Sequence, residues 1–285
     1  YYDNNGYEAG YLIMDLGTGR GIAGNLDAAM YGASTFKGPY CAYVVNKEFP
    51  NDINKANSTR LTQVENSIIW SDNASYGKLR RTYGNDGMEA WLAEAGVDTS
   101  LVNDTYFPTY TARQSALMWL KIYEYLTTAD TSAAQWLSDT FSKTEVSFLR
   151  NGALGTTSAG HTDYLPEEGS DGEEGVEDDG SDEESTSAGN SEGDASAGTD
   201  DAEGDEPLAD EDKMVASIGT NITVRNKAGW INDSEVNAIC DAGIVTINDR
   251  DYLMVIMTNV PDSAAGEQAF AHLTRTLLEI RGDLV

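Results

Sequence analysis

The sequence predicts an α+β protein, an α/β sandwich in which a five-stranded antiparallel sheet is made from both chain ends, packed by a terminal helix, with an all-helical domain inserted. Three observations carry that expectation. Two short strand-forming runs open the chain, three longer ones come near its end just before a terminal helix, and the stretch between them reads as helices.

Taken in order, Tyr7 to Asp15 is rich in strand formers, Gly17-Thr18-Gly19 marks a turn, and Gly21 to Asn25 is a second short run, so the front of the chain reads as a hairpin. From Ser34 to Val45 the pattern changes to a helix, broken by Pro50 and the polar Asn51 to Thr59. Helical patterns recur at Gln63 to Trp70, Gly87 to Ala95, Thr111 to Thr127 and Ser132 to Phe141, which makes the middle of the chain all-helical. Three strand-like runs follow at Asn221 to Ile231, Asn237 to Ile247 and Tyr252 to Val260. The last helix spans Ser263 to Gly282, with Leu273, Leu277, Leu278 and Ile280 supplying much of its apolar side. The expected division is a sheet domain from residues 1–30 and 213–285, a helical domain at 31–164, and an acidic insertion at 165–212.

That insertion explains the formal charge of -30. Between Pro166 and Asp212 lie 21 of the 48 acidic residues and none of the 18 lysines and arginines. Almost without aliphatic side chains, the segment cannot bury enough area to offset chain entropy and is expected to be disordered. It could act as an electrostatic gate or a solubilising tail. An inert linker is the preferred reading, because screening limits its reach to about 8–10 Å in physiological salt. The remaining chain is mildly acidic, without the clustered cations that nucleic-acid binding needs, so no nucleic-acid partner is expected. No apolar run is long enough to span a bilayer. The chain begins Tyr-Tyr-Asp-Asn-Asn and is read as a soluble mature or trimmed product, any export signal having been removed. Cys41 and Cys240 are too few for a disulfide framework and show no zinc spacing; Cys41 reads as a small buried apolar residue, with a disulfide to Cys240 as the other reading.

Three short motifs carry chemistry. Ser34-Thr35-Phe36-Lys37 puts a hydroxyl and an amine at i and i+3, on one face at the start of a helix. A serine needs a base to become nucleophilic, and a lysine can serve if burial or a neighbouring cation lowers its pKa. Ser71-Asp72-Asn73 follows the apolar Ile68-Ile69-Trp70 and also fits a helix cap or Asx turn. Lys227-Ala228-Gly229-Trp230 fits equally an edge-strand lysine followed by a glycine kink. Each alone is ambiguous; Ser and Lys at this spacing are common on exposed helix faces. Their order along the chain is what distinguishes them.

In that order, SxxK, SDN and Lys-x-Gly, the chain resembles the serine β-lactamases of class A and the penicillin-binding proteins. The resemblance covers nearly everything outside the acidic insertion, including Asp104-Thr105-Tyr106-Phe107-Pro108 before a helix and Asp241-Ala242-Gly243-Ile244-Val245 before the strand Leu253 to Thr258. It implies the β-lactamase/DD-peptidase-like fold and an acyl-enzyme on Ser34. Lys37 would accept or relay the serine proton, while Ser71 and Lys227 would pass a proton to the leaving nitrogen. Asn73 would bind the substrate amide and help hold Lys37. The oxyanion hole would come from the backbone N–H groups of Ser34 and Trp230, with Gly229 beside them in the substrate groove. Expected partners are a small-molecule β-lactam or a peptidoglycan peptide, with no metal or organic cofactor, and the expected location is extracellular or in the cell envelope of a bacterium.

The pattern departs from the family in three places. Ala228 stands where the family has a threonine whose hydroxyl helps bind a substrate carboxylate, which predicts a loss of about 1.5–3 kcal/mol for penicillin-like acids. The interval from Ser34 to Ser71 is shorter than usual. The stretch GVDTSLVNDTYFP, Gly96 to Pro108, holds no glutamate to activate a deacylating water, only Asp98 and Asp104; Glu89 and Glu94 are expected on a solvated helix face. Ser34 is therefore expected to acylate, with the acyl-enzyme hydrolysed slowly or by a different base. The alternative is a non-catalytic ligand- or peptidoglycan-binding module that keeps the fold and the groove.

Overall fold

The computed structural model of the chain describes residues 1–103, 105–156, 218–219 and 221–284. The expected disordered insertion at 165–212 lies outside them. The front of the chain gives α1 (Tyr2–Asn5), β1 (Ala9–Asp15), β2 (Gly21–Gly24) and β3 (Ala29–Tyr31). A 3₁₀ turn at Ala33–Phe36 leads into α2 (Lys37–Tyr43), followed by α3 (Ser58–Ile69), α4 (Asn73–Tyr83) and α5 (Asp86–Glu94). Then come β4 (Thr109–Thr111), α6 (Ala112–Thr128), α7 (Ser132–Ser142) and α8 (Phe148–Leu154). The chain closes with β5 (Ile222–Asn232), β6 (Asn237–Ile247), β7 (Arg250–Thr258) and α9 (Ala264–Ile280).

The five-stranded sheet has the order β2-β1-β7-β6-β5, every pair antiparallel. Both ends of the chain build it, as expected, and both its faces are covered. Leu253, Val255 and Met257 of β7 enter the cluster shared with α2, α3 and α6. Tyr252, Met254 and Ile256 alternate onto the other face, against α8 and α9. Burial on both faces is why β7 reads as an uninterrupted apolar run rather than as alternation. In α9, Leu277 and Leu278 are buried and Leu273 and Ile280 pack partly buried beside them.

Some elements differ from expectation. The single helix expected at Ser34–Val45 is composite: the 3₁₀ turn, α2, then a π-helical turn at Val44–Glu48. Pro39 has no N–H to donate to the carbonyl of Thr35, and the entry tightens accordingly. The middle of the chain is not purely helical, because β3 pairs with β4, Met30 opposite Tyr110. A helix unforeseen after the SDN motif, α4, starts at Asp72, whose carboxylate accepts the Ser75 N–H at 2.7 Å. The unforeseen α8 lies against α9, on the opposite side of the sheet from the other helices between residues 31 and 164. Helix starts are well capped: Asn57, Thr111, Thr131, Ser147 and Ser263 each accept a backbone N–H, with a full capping box at Thr111 and Gln114.

Candidate active site

The turn carrying Ser34 is fixed from three sides. Ala33 takes a left-handed φ of 44°, a conformation that costs a residue with a β-carbon about 1–3 kcal/mol and persists only where the surroundings impose it. Thr35 Oγ1 donates to the Gly32 carbonyl at 2.5 Å and shares a 2.5 Å hydrogen bond with Tyr110 Oη. From the sheet, Gly229 of β5 presses its backbone on the turn: a Cβ there would lie 2.5 Å from the nitrogen of Ser34 and 2.6 Å from that of Thr35. Ser34 itself stays partly exposed.

Lys37 and Lys227 are both fully buried and converge on Ser71. Lys227 Nζ donates to Ser71 Oγ at 3.0 Å and to the Ala228 carbonyl at 2.6 Å. Lys37 Nζ lies 3.3 Å from the same Oγ, donates to the Ser71 carbonyl, and is held by Asn73 Oδ1 at 2.5 Å. Ser71 thus has its hydroxyl between two amines. It reaches that place through a left-handed φ of 58°. The N–H groups of Trp70 and Asp72 both bond the Asn66 carbonyl, which ends α3 and lets α4 begin one residue later. Among the described residues, no carboxylate makes a hydrogen bond to Lys37, Ser71 or Lys227.

Charge is accordingly scarce. Burial, then the nearby Lys227, hold Lys37 well below the usual lysine range. Burial brings Lys227 down to about 8, with Asp241 and Cys41 acting in the opposite direction. One amine of the pair is therefore poised to be a free base while its neighbour is charged. Phe107 and Tyr76 close the Lys37 side, their ring centres 5.5 and 5.8 Å from its Nζ. Behind them Arg80 is sandwiched against Tyr40 and Tyr106, at 4.9 and 4.6 Å, and donates to Tyr76 Oη and the Val102 carbonyl, both at 3.0 Å.

The structure brings together Ser34, Lys37, Ser71, Asn73, Lys227 and Gly229. The hydrogen bonds of Lys37 go to Ser71 and Asn73, and none is recorded from it to Ser34 among the described residues. Trp230 sets its ring edge-on to Phe148 of α8, centroids 6.1 Å apart, while the same ring centre lies 5.8 Å from Lys227 Nζ, and Gly229 before it presses on the Ser34 turn. Ala228 is fully buried in that same cluster. Glu94 is engaged elsewhere, pairing with Lys47 and Lys121 at 3.1 and 2.8 Å. Cys41 and Cys240 are both buried free thiols. Sequence reasoning missed Tyr76, Arg80 and Phe107; the spacing Asn73 to Tyr76, one turn along a helix, was the available signal for the first. Among the described residues no cluster of His, Cys, Asp and Glu could hold a metal, and no helix is long and apolar enough to cross a membrane.

The family model that matches is that of the β-lactamase enzyme family, over residues 208–280. The search of curated proteins returned no match. Among solved structures, PBP-A superposes with a TM-score of 0.61 at 16% identity, covering 98% of this chain and 91% of that one. A β-lactamase from Sphaerobacter thermophilus superposes at 0.61 and 18% identity, covering 99% and 94%. A mutant of PBP-A solved as its acyl-enzyme complex with penicillin G gives 0.58 and 15%, covering 98% and 91%. The chain has the fold of the serine β-lactamases and penicillin-binding proteins, as its motif order implied.

Proposed function

We propose that this chain, with its β-lactamase fold, is a β-lactamase-like serine hydrolase that forms an acyl-enzyme on Ser34 and releases it slowly. The observation that carries the reading is Ser71 Oγ held between Lys227 Nζ at 3.0 Å and Lys37 Nζ at 3.3 Å, beside the Ser34 turn. A scaffold gains no stability from two buried lysines, since each loses its hydration on folding.

In the proposed reaction Ser34 Oγ attacks the acyl carbon of a strained or activated amide, and its proton passes to the Lys37 amine. Lys37 bonds Ser71 and Asn73 in the resting geometry, so the transfer requires its amine to turn toward Ser34 or a water to bridge them. The carbonyl becomes an oxyanion facing the backbone N–H groups of Ser34 and Trp230. As the C–N bond breaks, the nitrogen takes the Ser71 hydroxyl proton, and Lys227 restores that proton to Ser71. Deacylation is the weak step. The Lys37 side of the site is covered by the Phe107 and Tyr76 rings, and among the described residues no carboxylate hydrogen-bonds Lys37, Ser71 or Lys227 to activate a water there.

The substrates this chemistry suits are β-lactams and cell-wall peptide amides, and the location proposed with them is extracellular or in the cell envelope of a bacterium. Labelling with a fluorescent penicillin, resolved on a denaturing gel, tests the reading: a band in the wild type that is absent from Ser34→Ala supports it. A second reading, a ligand- or peptidoglycan-binding module, is favoured by Ala228, whose side chain is fully buried away from the groove. It requires non-covalent binding of equal strength by the wild type and Ser34→Ala, with no label on the gel.

A further inference from the structure

Another buried charge lies on the far side of the strand that carries Lys227. Asp241 of β6 is fully buried and sits opposite Ala228 in the ladder. Its carboxylate accepts the Leu149 N–H, in the first turn of α8, at 3.0 Å, and the Asn226 side-chain amide at 2.7 and 2.8 Å. Asn226 is also fully buried, directly precedes Lys227, and keeps its Oδ1 without a partner. No cation hydrogen-bonds Asp241 among the described residues. An acid at the centre of a dry sheet needs a reason, because an uncompensated buried carboxylate is among the costliest groups to desolvate.

We propose that Asp241 is a positioning residue for the acylation step, the counter-charge that keeps Lys227 protonated through β5 so that Lys227 can return a proton to Ser71. The inference rests on the hydrolase reading above. Asp241 is raised by burial to about 6, against the donors Leu149 and Asn226 and then the pull of Lys227, so it is an anion at neutral pH. Among the influences on Lys227 it is the foremost one acting upward. The other ionisable groups around Lys227 do not replace it. Lys37 of α2 is a second amine, and Cys41 of α2 is pushed by burial up to about 12 and stays a neutral thiol. From β6, Cys240 is likewise pushed up to about 12. From α7 comes the uncharged Phe141, whose ring lines the same contact at Gly38. Arg150 of α8 is committed to the Thr144 and Glu145 carbonyls at 2.6 and 3.0 Å, and Arg275 of α9 pairs with Glu279 at 3.3 Å.

The test substitution is Asp241→Asn, for which the fold holds a ready accommodation: a turned Asn226 amide offers its now unpartnered Oδ1 to the new amide. Removing the negative charge lowers the Lys227 pKa, so the proton donor is lost earlier as pH rises. The expected result is that the alkaline limb of the acylation rate against pH moves down by about one unit. A uniform loss at every pH, or no change, overturns the proposal. The second readout needs neither activity nor a variant: nuclear magnetic resonance of the wild type, following the Asp241 carboxyl carbon and the Lys227 ε-carbon. Lys227 must register a step as Asp241 titrates near pH 6, and its absence overturns the inference. If no penicillin acylates the protein, the hydrolase reading fails, while the coupling of the two residues is still read directly.

Discussion

Gly229 and Ser34 meet backbone to backbone: a methyl group at Gly229 would sit 2.5 Å from the Ser34 nitrogen, 2.6 Å from that of Thr35 and 2.7 Å from the Gly32 carbonyl. None of these is a side-chain tip that can step aside. Gly229→Ala is therefore expected to drive β5 away from the Ser34 turn and cost about 1–3 kcal/mol of stability, the range for overpacking. Acylation by a penicillin should fall far more than that loss implies, because the N–H groups proposed to face the substrate belong to Ser34 and to Trp230, the residue after Gly229. Chemical denaturation and labelling rate, measured together, check it; unchanged labelling contradicts the geometry.

A parallel contact lies one turn on from Ser34, at the start of α2. A Cβ at Gly38 would approach the Lys227 Cβ to 2.9 Å, at the root of that side chain. Gly38→Ala should displace Lys227 from Ser71 and slow acylation about tenfold or more, the effect of misplacing a proton donor. Single-turnover acylation rates decide it.

The aromatic wall over Lys37 makes a prediction about pH. Burial is the chief cause of the low Lys37 pKa, and Phe107 supplies part of that cover. Phe107→Ala admits water, stabilises the ammonium form and raises the Lys37 pKa toward the ordinary lysine value. The acidic limb of the acylation profile should then move to higher pH. An unmoved limb would show that Phe107 does not set the basicity of Lys37.

Buried lysines also predict how stability varies with pH. Lys227 is near 8 when folded and at the usual lysine value when unfolded, so between these the unfolded chain binds more protons. Stability therefore rises with pH from about 8 to 10, by about 2–3 kcal/mol from Lys227, and Lys37 adds in the same direction. Above that, Tyr40, Tyr76 and Tyr110, all held above the ordinary tyrosine value by burial, reverse the trend. Urea midpoints across this range test the sign, and Lys227→Met should flatten the rise while abolishing acylation.

Cys41 and Cys240 are buried and both pushed up to about 12. Native protein should resist iodoacetamide at pH 8, and both thiols should react once it is unfolded. A disulfide, the alternative open from sequence, would leave the unfolded chain equally unreactive until reduced.

The ends of the molecule were easier to read than its middle. β6 was expected at Asn237 to Ile247 and runs over those residues, since burial on both faces writes a nearly continuous apolar signal into the sequence. α4 left no such trace: its buried positions are Ser75, Tyr76, Gly77, Leu79 and Arg80, mostly polar or small. β3 and β4 have three residues each, too few to show alternation. Ser34, Lys37, Ser71, Asn73 and Lys227 were found through motif order rather than any local signal. Asp241 could not be found that way, because one acid in an apolar strand acquires its meaning only from Asn226 and Leu149, which the fold brings to it.

In the proposed reaction Ser34 becomes covalently acylated and gives up the acyl group slowly. That reaction is tested most directly by following intact protein mass over time after mixing with benzylpenicillin, with Ser34→Ala alongside. An increase equal to one penicillin is expected on the wild type, persisting after free penicillin is removed and absent from the variant. No adduct on the wild type, or an equal adduct on Ser34→Ala, would contradict it, and an adduct that vanishes within seconds as penicillin is consumed would contradict slow release.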